Sequence, residues 1–244
     1  MRLMPSAPKR ARTRTPGSQR QQRDTIKILI ADDHRTFAEA LKTALAHERG
    51  LKVTGMVHDG QAAVEISREK HPDIVLMDVS MPRTDGIAAT REIKREQPDT
   101  RVVMLSAYEE EHTVARAIDA GASGFLSKMR PMKDVARSIR AAYRGEPLLE
   151  PQELRRILRH LRRRRAQDAG DRARVDRLSR RQTEILQGLA DGLSPEQLSE
   201  KLGISRNTVR THVQNILFKL KVHSRLEALA LAIRHGKIYP GEPV

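Results

Sequence analysis

Three carboxylates, one hydroxyl and one lysine each stand at the end of a short apolar run. Asp32 and Asp33 follow "KILIA", Asp78 ends "DIVLMD", Ser106 ends "VVMLS", and Lys128 follows "GFLS". Carboxylates brought together repel each other unless a cation neutralises them, and Mg²⁺ is a hard ion that prefers oxygen ligands. A lysine and a hydroxyl both suit phosphoryl oxygens. The set predicts Mg²⁺-assisted phosphoryl transfer to a carboxylate.

The elements that must position these residues alternate between residues 26 and 145. Apolar runs at 28–31, 53–57, 74–77, 102–105 and 124–126 alternate with segments of helical periodicity. This pattern predicts an α/β domain with a doubly wound, parallel, five-stranded sheet and helices on both faces. Because the carboxyl ends of parallel strands share one edge, the polar residues should converge there. Each of them alone is as readily a cap, a turn residue or core filling, and only the five in register favour a site.

The quoted motifs "ADDH", "DIVLMDVSMPRTDGI", "VVMLSA" and "GASGFLSK" carry a family resemblance. Together they resemble the flavodoxin-like receiver domain of bacterial two-component response regulators. The resemblance implies that Asp78 is the phosphoacceptor and that Asp32, Asp33 and Asp78 hold Mg²⁺ with the backbone carbonyl of Ser80. It implies that Ser106 and Lys128 contact the phosphoryl group and that Phe125 is the aromatic switch residue.

Two of these positions depart from the commonest pattern of the family. Ser106 stands where threonine is frequent, which keeps the hydroxyl and should preserve its role. Phe125 stands where tyrosine is frequent, so it can move inward but cannot form a phenolic hydrogen bond. Ser80 and Tyr108 occupy positions that line the path of the hydrolytic water in this family.

From Leu178 the sequence predicts four short helices, at about 180–191, 195–202, 206–220 and 225–235. Three serines fit the capping box, Ser205 fits an N-cap, and residues 203–205 form a tight turn between the second and third helices. This is helix-turn-helix geometry, although a module that only packs against another surface explains the helices equally well. The capping pairs are Ser179 with Gln182, Ser194 with Gln197, and Ser224 with Glu227.

The third of these helices is the candidate recognition helix because its polar side chains are free to face a DNA groove. Val209 and Val213 point inward, and Lys219 and Lys221 are placed to meet phosphate. The polar positions are Arg206, Asn207, Arg210, Thr211 and Gln214.

The segment from "LSRRQTEILQGL" to "HSRLEALALA" closely resembles the LuxR-type DNA-binding domain. The resemblance implies that Arg210, Thr211 and Gln214 face the bases and that the last helix forms part of a dimer contact. The two resemblances together point to a NarL/FixJ-type response regulator. They imply that a sensor histidine kinase phosphorylates Asp78, that the receiver then ceases to occlude the DNA-binding domain, and that a homodimer binds double-stranded promoter DNA.

Composition indicates the class of partner, the location of the protein and the division of the chain into domains. The net charge of +15 favours an anionic partner, nucleic acid rather than membrane, since the sequence has no long apolar segment. The absence of cysteine fits a cytoplasmic protein. Residues 1–25 read as a disordered basic arm that is either a phosphate-binding segment or a tail without a role. We assign 26–145 to the receiver, 146–177 to a partly helical linker, and 178–240 to the DNA-binding domain.

The linker contains an amphipathic helix that begins near Pro151. Leu154, Ile157, Leu158 and Leu161 form an apolar stripe whose partner could be either domain or a second copy of the helix. The arginines at 162–165 are either a phosphate-contacting patch or a solvated run.

A NarL/FixJ-type response regulator is not an enzyme, and three other functions fit the sequence less well. An aspartyl phosphatase of the haloacid dehalogenase type needs a second Asp two residues after the nucleophile, and Ser80 stands there. A ligand-gated LuxR-type quorum sensor needs a lipid-like pocket, which the scarcity of aromatic residues disfavours. A receiver that acts by protein contact or RNA binding is disfavoured by the helix-turn-helix pattern.

Overall fold

The computed structural model describes residues 25–106, 111–163 and 169–240. The strands are β1 Ile26–Ala31, β2 Leu51–Val57, β3 Ile74–Asp78, β4 Arg101–Ser106 and β5 Gly124–Ser127. The first five helices are α1 Arg35–Ala46, α2 Gly60–Lys70, α3 Gly86–Glu96, α4 Glu111–Asp119 and α5 Met132–Arg144. The remaining helices are α6 Pro151–Arg163, α7 Ala169–Asp176, α8 Arg180–Ala190, α9 Pro195–Leu202, α10 Arg206–Leu220 and α11 Arg225–Arg234.

The five strands form one parallel sheet with the order β2-β1-β3-β4-β5. The order reverses between β1 and β3, which makes the crevice at their carboxyl ends the topological switch point of the sheet. The predicted doubly wound sheet followed by a helical domain is therefore confirmed.

Two apolar layers cover the sheet because successive strand residues point to opposite faces. Ile28 and Ile30 pack with Leu41 of α1 and Ile139 of α5 on one face. Leu29 and Ala31 belong to the other layer, which continues through α4 into the helices of the DNA-binding domain. The two domains thus share one continuous apolar core.

The linker forms a structural part of this core. The predicted stripe on α6 is buried, with Leu154, Ile157, Leu158 and Leu161 at most 4% exposed. It packs against α11 and α4, so its partner is both domains of its own chain. Helix α7 was not predicted, since its short, charged sequence has weak apolar periodicity.

The helices of the C-terminal domain begin and end within one residue of the predicted positions. Ser179 and Ser194 form complete capping boxes with Gln182 and Gln197, and Ser205 caps α10. The capping box predicted at Ser224 is wrong in one half. The Ser224 hydroxyl accepts from the Glu227 amide, but the Glu227 carboxylate accepts from the amide of His223 instead of that of Ser224.

Several predictions fall outside the described residues, namely nearly all of the basic arm, Tyr108 and the side chains of the arginines at 162–165. Within the ranges that the structure describes, no helix combines the length and apolar character needed to cross a membrane.

Candidate phosphoacceptor site and DNA-binding surface

The register of the sheet places Asp32 and Asp78 side by side. Ala31 pairs with Met77 between β1 and β3, so Asp32 and Asp78 each follow a paired residue. Both carboxylates are buried, with relative exposures of 0% and 4%. Asp33 is the second residue after β1, and its side chain stays 35% exposed. The convergence predicted from the strand ends is therefore present in the fold.

Lys128 joins the two buried carboxylates. Its Nζ lies 2.9 Å from Asp32 Oδ2 and 2.9 Å from Asp78 Oδ2, and its side chain is 13% exposed. The ammonium group also lies 5.4 Å from the centre of the Phe37 ring, a cation–π distance. One cation thus lies between two carboxylates that would otherwise repel each other at close range, and it offsets half of their charge.

Burial and the contact between Asp78 and Lys128 shift the pKa values of these two residues in opposite directions. Burial raises the pKa of Asp78, and the nearby Asp32 carboxylate adds to the rise, while Lys128 opposes it. Desolvation lowers the pKa of Lys128, but its close contacts with the Asp32 and Asp78 carboxylates outweigh this and raise it. Asp78 is therefore a more basic carboxylate than a solvated one, beside a lysine that stays charged.

His34 is the residue of this site that the sequence reasoning missed. Its Nδ1 lies 2.9 Å from Asp33 Oδ1 and 4.0 Å from Asp78 Oδ2, and the ring is 72% exposed. Its amide donates to Asp32 Oδ1 at 2.9 Å, which fixes the orientation of that carboxylate. The only sequence signal was its position directly after the acidic pair in "ADDH".

The donor set fits a hard divalent cation. Ligand atoms of Asp32, Asp33, His34 and Asp78 all lie within 4.8 Å of one another. Among the described residues, buried Asp32 Oδ2 has no hydrogen-bond donor of good geometry, although the Lys128 ammonium is close. Carboxylate oxygens with unused lone pairs suit Mg²⁺, which also retains several waters.

The other predicted site residues lie on β4, on β5 and in the loop after β3. Ser80 is exposed and lines a cavity of about 480 Å³ with Asp85 and Arg116. Ser106 is 8% exposed at the end of β4, and its carbonyl accepts from the Lys128 amide at 2.8 Å. Phe125 is 3% exposed and belongs to the same apolar layer as Val114 of α4.

A glycine holds the loop after β3 against the backbone of Asp78. A Cβ atom at Gly86 would lie 1.8 Å from the Asp78 carbonyl oxygen, so no side chain fits there. The Gly86 amide donates to the Val79 carbonyl at 3.0 Å, and the Val79 amide donates to the Leu105 carbonyl at 3.2 Å. These contacts fix the segment that carries Ser80.

The recognition helix presents its polar face to solvent. Arg206, Asn207, Thr211 and Gln214 are exposed, Arg210 is half-buried, and Val209 and Val213 are buried as predicted. Lys219 is exposed but is engaged in packing, because its Nζ donates to Gln182 Oε1 at 2.9 Å and lies 3.4 Å from the Arg177 carbonyl.

The receiver and linker cover a different helix, α11. Its apolar residues from Ala228 to Ile233 are all buried, and it packs against α6 and α4. Arg234 of α11 forms an ion pair with Asp119 of α4. The receiver and α6 therefore cover α11, whereas Arg206, Asn207, Thr211 and Gln214 of α10 remain exposed.

Fold and site together define a receiver domain with an acidic phosphoacceptor-type cluster, joined to a helix-turn-helix domain. The family model of the response regulator receiver domain matches residues 28–140, and that of the luxR family of bacterial regulatory proteins matches residues 176–232. The chain belongs to the LuxR-type two-component response regulators, which are transcriptional regulators and not enzymes.

Similar proteins agree with this assignment along most of the chain. The transcriptional regulatory protein DegU of Brevibacillus brevis is 33% identical over 222 residues, covering 86% of this chain and 94% of DegU. The response regulator protein VraR of Staphylococcus aureus is 35% identical over 214 residues, covering 88% of this chain and 99% of VraR. A crystal structure of a LuxR-family two-component response regulator from Aurantimonas sp. SI85-9A1 matches with a TM-score of 0.52 and 28% identity. It covers 56% of this chain and 97% of that one.

Proposed function

We propose that a sensor histidine kinase phosphorylates Asp78 and that the phosphorylated protein binds promoter DNA as a homodimer. The observation that carries this proposal is the buried pair of Asp32 and Asp78, bridged by Lys128 at 2.9 Å on each side. A carboxylate at the switch point of a parallel sheet, with a fixed cation beside it, is arranged to accept a phosphoryl group.

In the proposed transfer an Asp78 carboxylate oxygen attacks the phosphorus of a phosphohistidine. The P–N bond breaks and an aspartyl phosphate forms. The imidazole leaves as a neutral ring because its other nitrogen already carries a proton in the phosphohistidine. Asp32, Asp33 and Asp78 with the Ser80 carbonyl would hold Mg²⁺, which neutralises phosphoryl oxygens when it is bound. Lys128 then pairs with a phosphoryl oxygen, and the Ser106 hydroxyl donates to another.

The new charge at Asp78 changes which contacts Lys128 and Ser106 prefer. In the proposed switch Ser106 moves toward the phosphoryl group and Phe125 turns into the space it leaves. Phe125 shares its apolar layer with α4, and α4 packs against α6 and α11. A shift of α4 therefore weakens the surface that covers α11.

Release of α11 provides the dimer contact. Its apolar residues between Leu226 and Ile233 are buried within the chain, so a second copy can reach them only after the cover opens. Two recognition helices then face successive turns of the groove, with Arg210, Thr211 and Gln214 reading bases in an inverted repeat.

The test is selection of DNA from a random duplex pool by the full chain, with and without beryllofluoride and Mg²⁺. We expect the treated wild type to enrich an inverted repeat and to protect it in footprinting, whereas Asp78→Asn gains nothing from beryllofluoride. If Asp78→Asn binds the repeat with the same beryllofluoride dependence, the proposed switch through Asp78 is refuted. If a parallel selection from random RNA succeeds and the DNA selection fails, DNA is refuted as the target.

A further inference from the structure

Phe218 near the end of α10 is a large apolar side chain in an unusual place. It is 85% exposed, more than any other large hydrophobic residue in the described parts of the chain. Neither the receiver nor the neighbouring helices of its own domain shield it. On a helix whose partner is expected to be nucleic acid, this solvated phenyl ring is free to contact that partner.

Helical geometry places Phe218 in line with the polar recognition residues. Asn207, Thr211, Gln214 and Phe218 follow the spacing i, i+4, i+7 and i+11, which is one stripe along a helix. All four side chains are exposed. With a rise of about 1.5 Å per residue, Phe218 lies roughly 10 Å beyond Thr211, or about three base pairs along a strand.

The surroundings of Phe218 are cationic. Lys219 and Lys221 are exposed on either side of Leu220. Lys219 Nζ lies 3.4 Å from the Arg177 carbonyl, which brings the exposed residue Arg177 to the same end of α10. The nearby Arg180 is paired with Glu184 and adds no net charge. An apolar ring framed by positive charges matches the apolar methyl group of a thymine framed by phosphates.

We infer that Phe218 is a specificity-determining residue that contacts the C5 methyl group of a thymine in the major groove. The inference rests on the proposed DNA-binding function. It extends the row of base-contacting residues on α10 by one helical turn beyond Gln214. Its energetic origin is apolar burial, since cytosine offers no methyl group at that position and guanine and adenine offer only polar atoms there.

The experiment is a double-substitution cycle between the ring and the methyl group. Sites are first selected with the beryllofluoride-treated wild type, and each thymine in a half-site is then replaced by deoxyuridine, which removes only the methyl group. Binding is measured for the wild type, for Phe218→Ala, and for Met129→Ala, a control that removes a side chain of similar exposure, 83%, from the receiver.

We expect one thymine per half-site whose replacement weakens wild-type and Met129→Ala binding by about fourfold, the effect of one buried methyl group. The same replacement should leave Phe218→Ala unchanged. Equal losses in the wild type and in Phe218→Ala at every thymine would overturn the inference while leaving DNA binding intact. Failure of the wild type to select any sequence would instead refute the proposed function, and the inference with it.

Discussion

Asp119 of α4 and Arg234 of α11 form an ion pair between the receiver and the DNA-binding domain, across 115 residues of chain. The two side chains are 32% and 22% exposed, so water weakens the pair only in part. The pair lies at the edge of the apolar contact that buries α11. It therefore connects the position of α4 to the availability of the proposed dimer surface.

Arg234→Glu should favour the open state without any phosphodonor. Loss of a partly exposed pair worth about 1 kcal/mol raises the open population about fivefold. We expect a matching rise in the dimer fraction, measured by sedimentation. Arg137→Glu is the control, because Arg137 pairs with Asp134 inside α5 and makes the same change in charge.

The exchanged pair Asp119→Arg with Arg234→Glu should restore the wild-type dimer fraction. If the exchanged protein dimerises like Arg234→Glu alone, the effect arises from the charge of α11 itself and not from its contact with α4.

Asp78→Asn should stabilise the fold at pH 7 in the absence of divalent cations. The pKa of Asp78 is raised mainly by burial, so the folded protein binds the proton more tightly than the unfolded chain does. Ionised Asp78 therefore lowers the free energy of unfolding. The uncharged amide of Asp78→Asn does not lower it in this way. The gain should shrink as the pH falls through the raised pKa towards the ordinary value of 3.8.

Urea unfolding in EDTA between pH 4 and pH 7 measures this gain, with the exposed acid Asp99→Asn as the reference. A variant Asp78→Asn that is less stable than the wild type at pH 7 would show that the Lys128 contact outweighs the burial of the carboxylate.

Lys128→Met should separate cation binding from phosphoryl transfer. Without the ammonium group, Asp32 and Asp78 lose their shared counter-charge, so we expect Mg²⁺ to bind roughly tenfold more tightly. Phosphorylation by acetyl phosphate should nevertheless slow, because the ion pair to the phosphoryl oxygen is missing. Calorimetric titration with Mg²⁺ tests the first point, with the exposed Lys52→Met as control. Weaker Mg²⁺ binding in Lys128→Met would contradict the assigned roles.

Gly86→Ala, in the loop after β3, should lower the free energy of unfolding more than Gly203→Ala does. The added Cβ would overlap the Asp78 carbonyl, and we expect a loss of about 3 kcal/mol in the free energy of unfolding. Gly203→Ala meets no atom within 4 Å and is strained only by its φ of +62°, so it should cost about 1 kcal/mol. Equal losses in the two variants would show that the loop after β3 can move away from Asp78.

The sequence predicted those features that depend on local pattern. Asp32, Asp78 and Lys128 could be placed together because each follows an apolar run and parallel strands end at one edge. The starts of α8 to α11 could be predicted because a serine caps each of them. The ends of α8, α9 and α11 could be predicted because a glycine follows within two residues, whereas α10 ends at Lys221 in the left-handed conformation. These signals act over a few residues and survive in any packing of the domains.

Features that depend on packing between distant segments could not be predicted. Lys94 looks like a surface residue in the sequence, yet it is 1% exposed and its Nζ donates to the Thr100 carbonyl. The contact of exposed Lys219 with Gln182 of α8 was likewise not visible in the sequence. The partner of the α6 stripe and the Asp119–Arg234 pair both depend on how the domains dock, which no local pattern records.

The most direct test combines intact-mass measurement and sedimentation of the full chain treated with Mg²⁺ and acetyl phosphate, with Asp78→Asn in parallel. We predict one phosphoryl adduct and an increased dimer fraction in the wild type, and neither in the variant. An adduct of the same yield on Asp78→Asn, or a wild-type adduct without any change in the dimer fraction, would contradict the account.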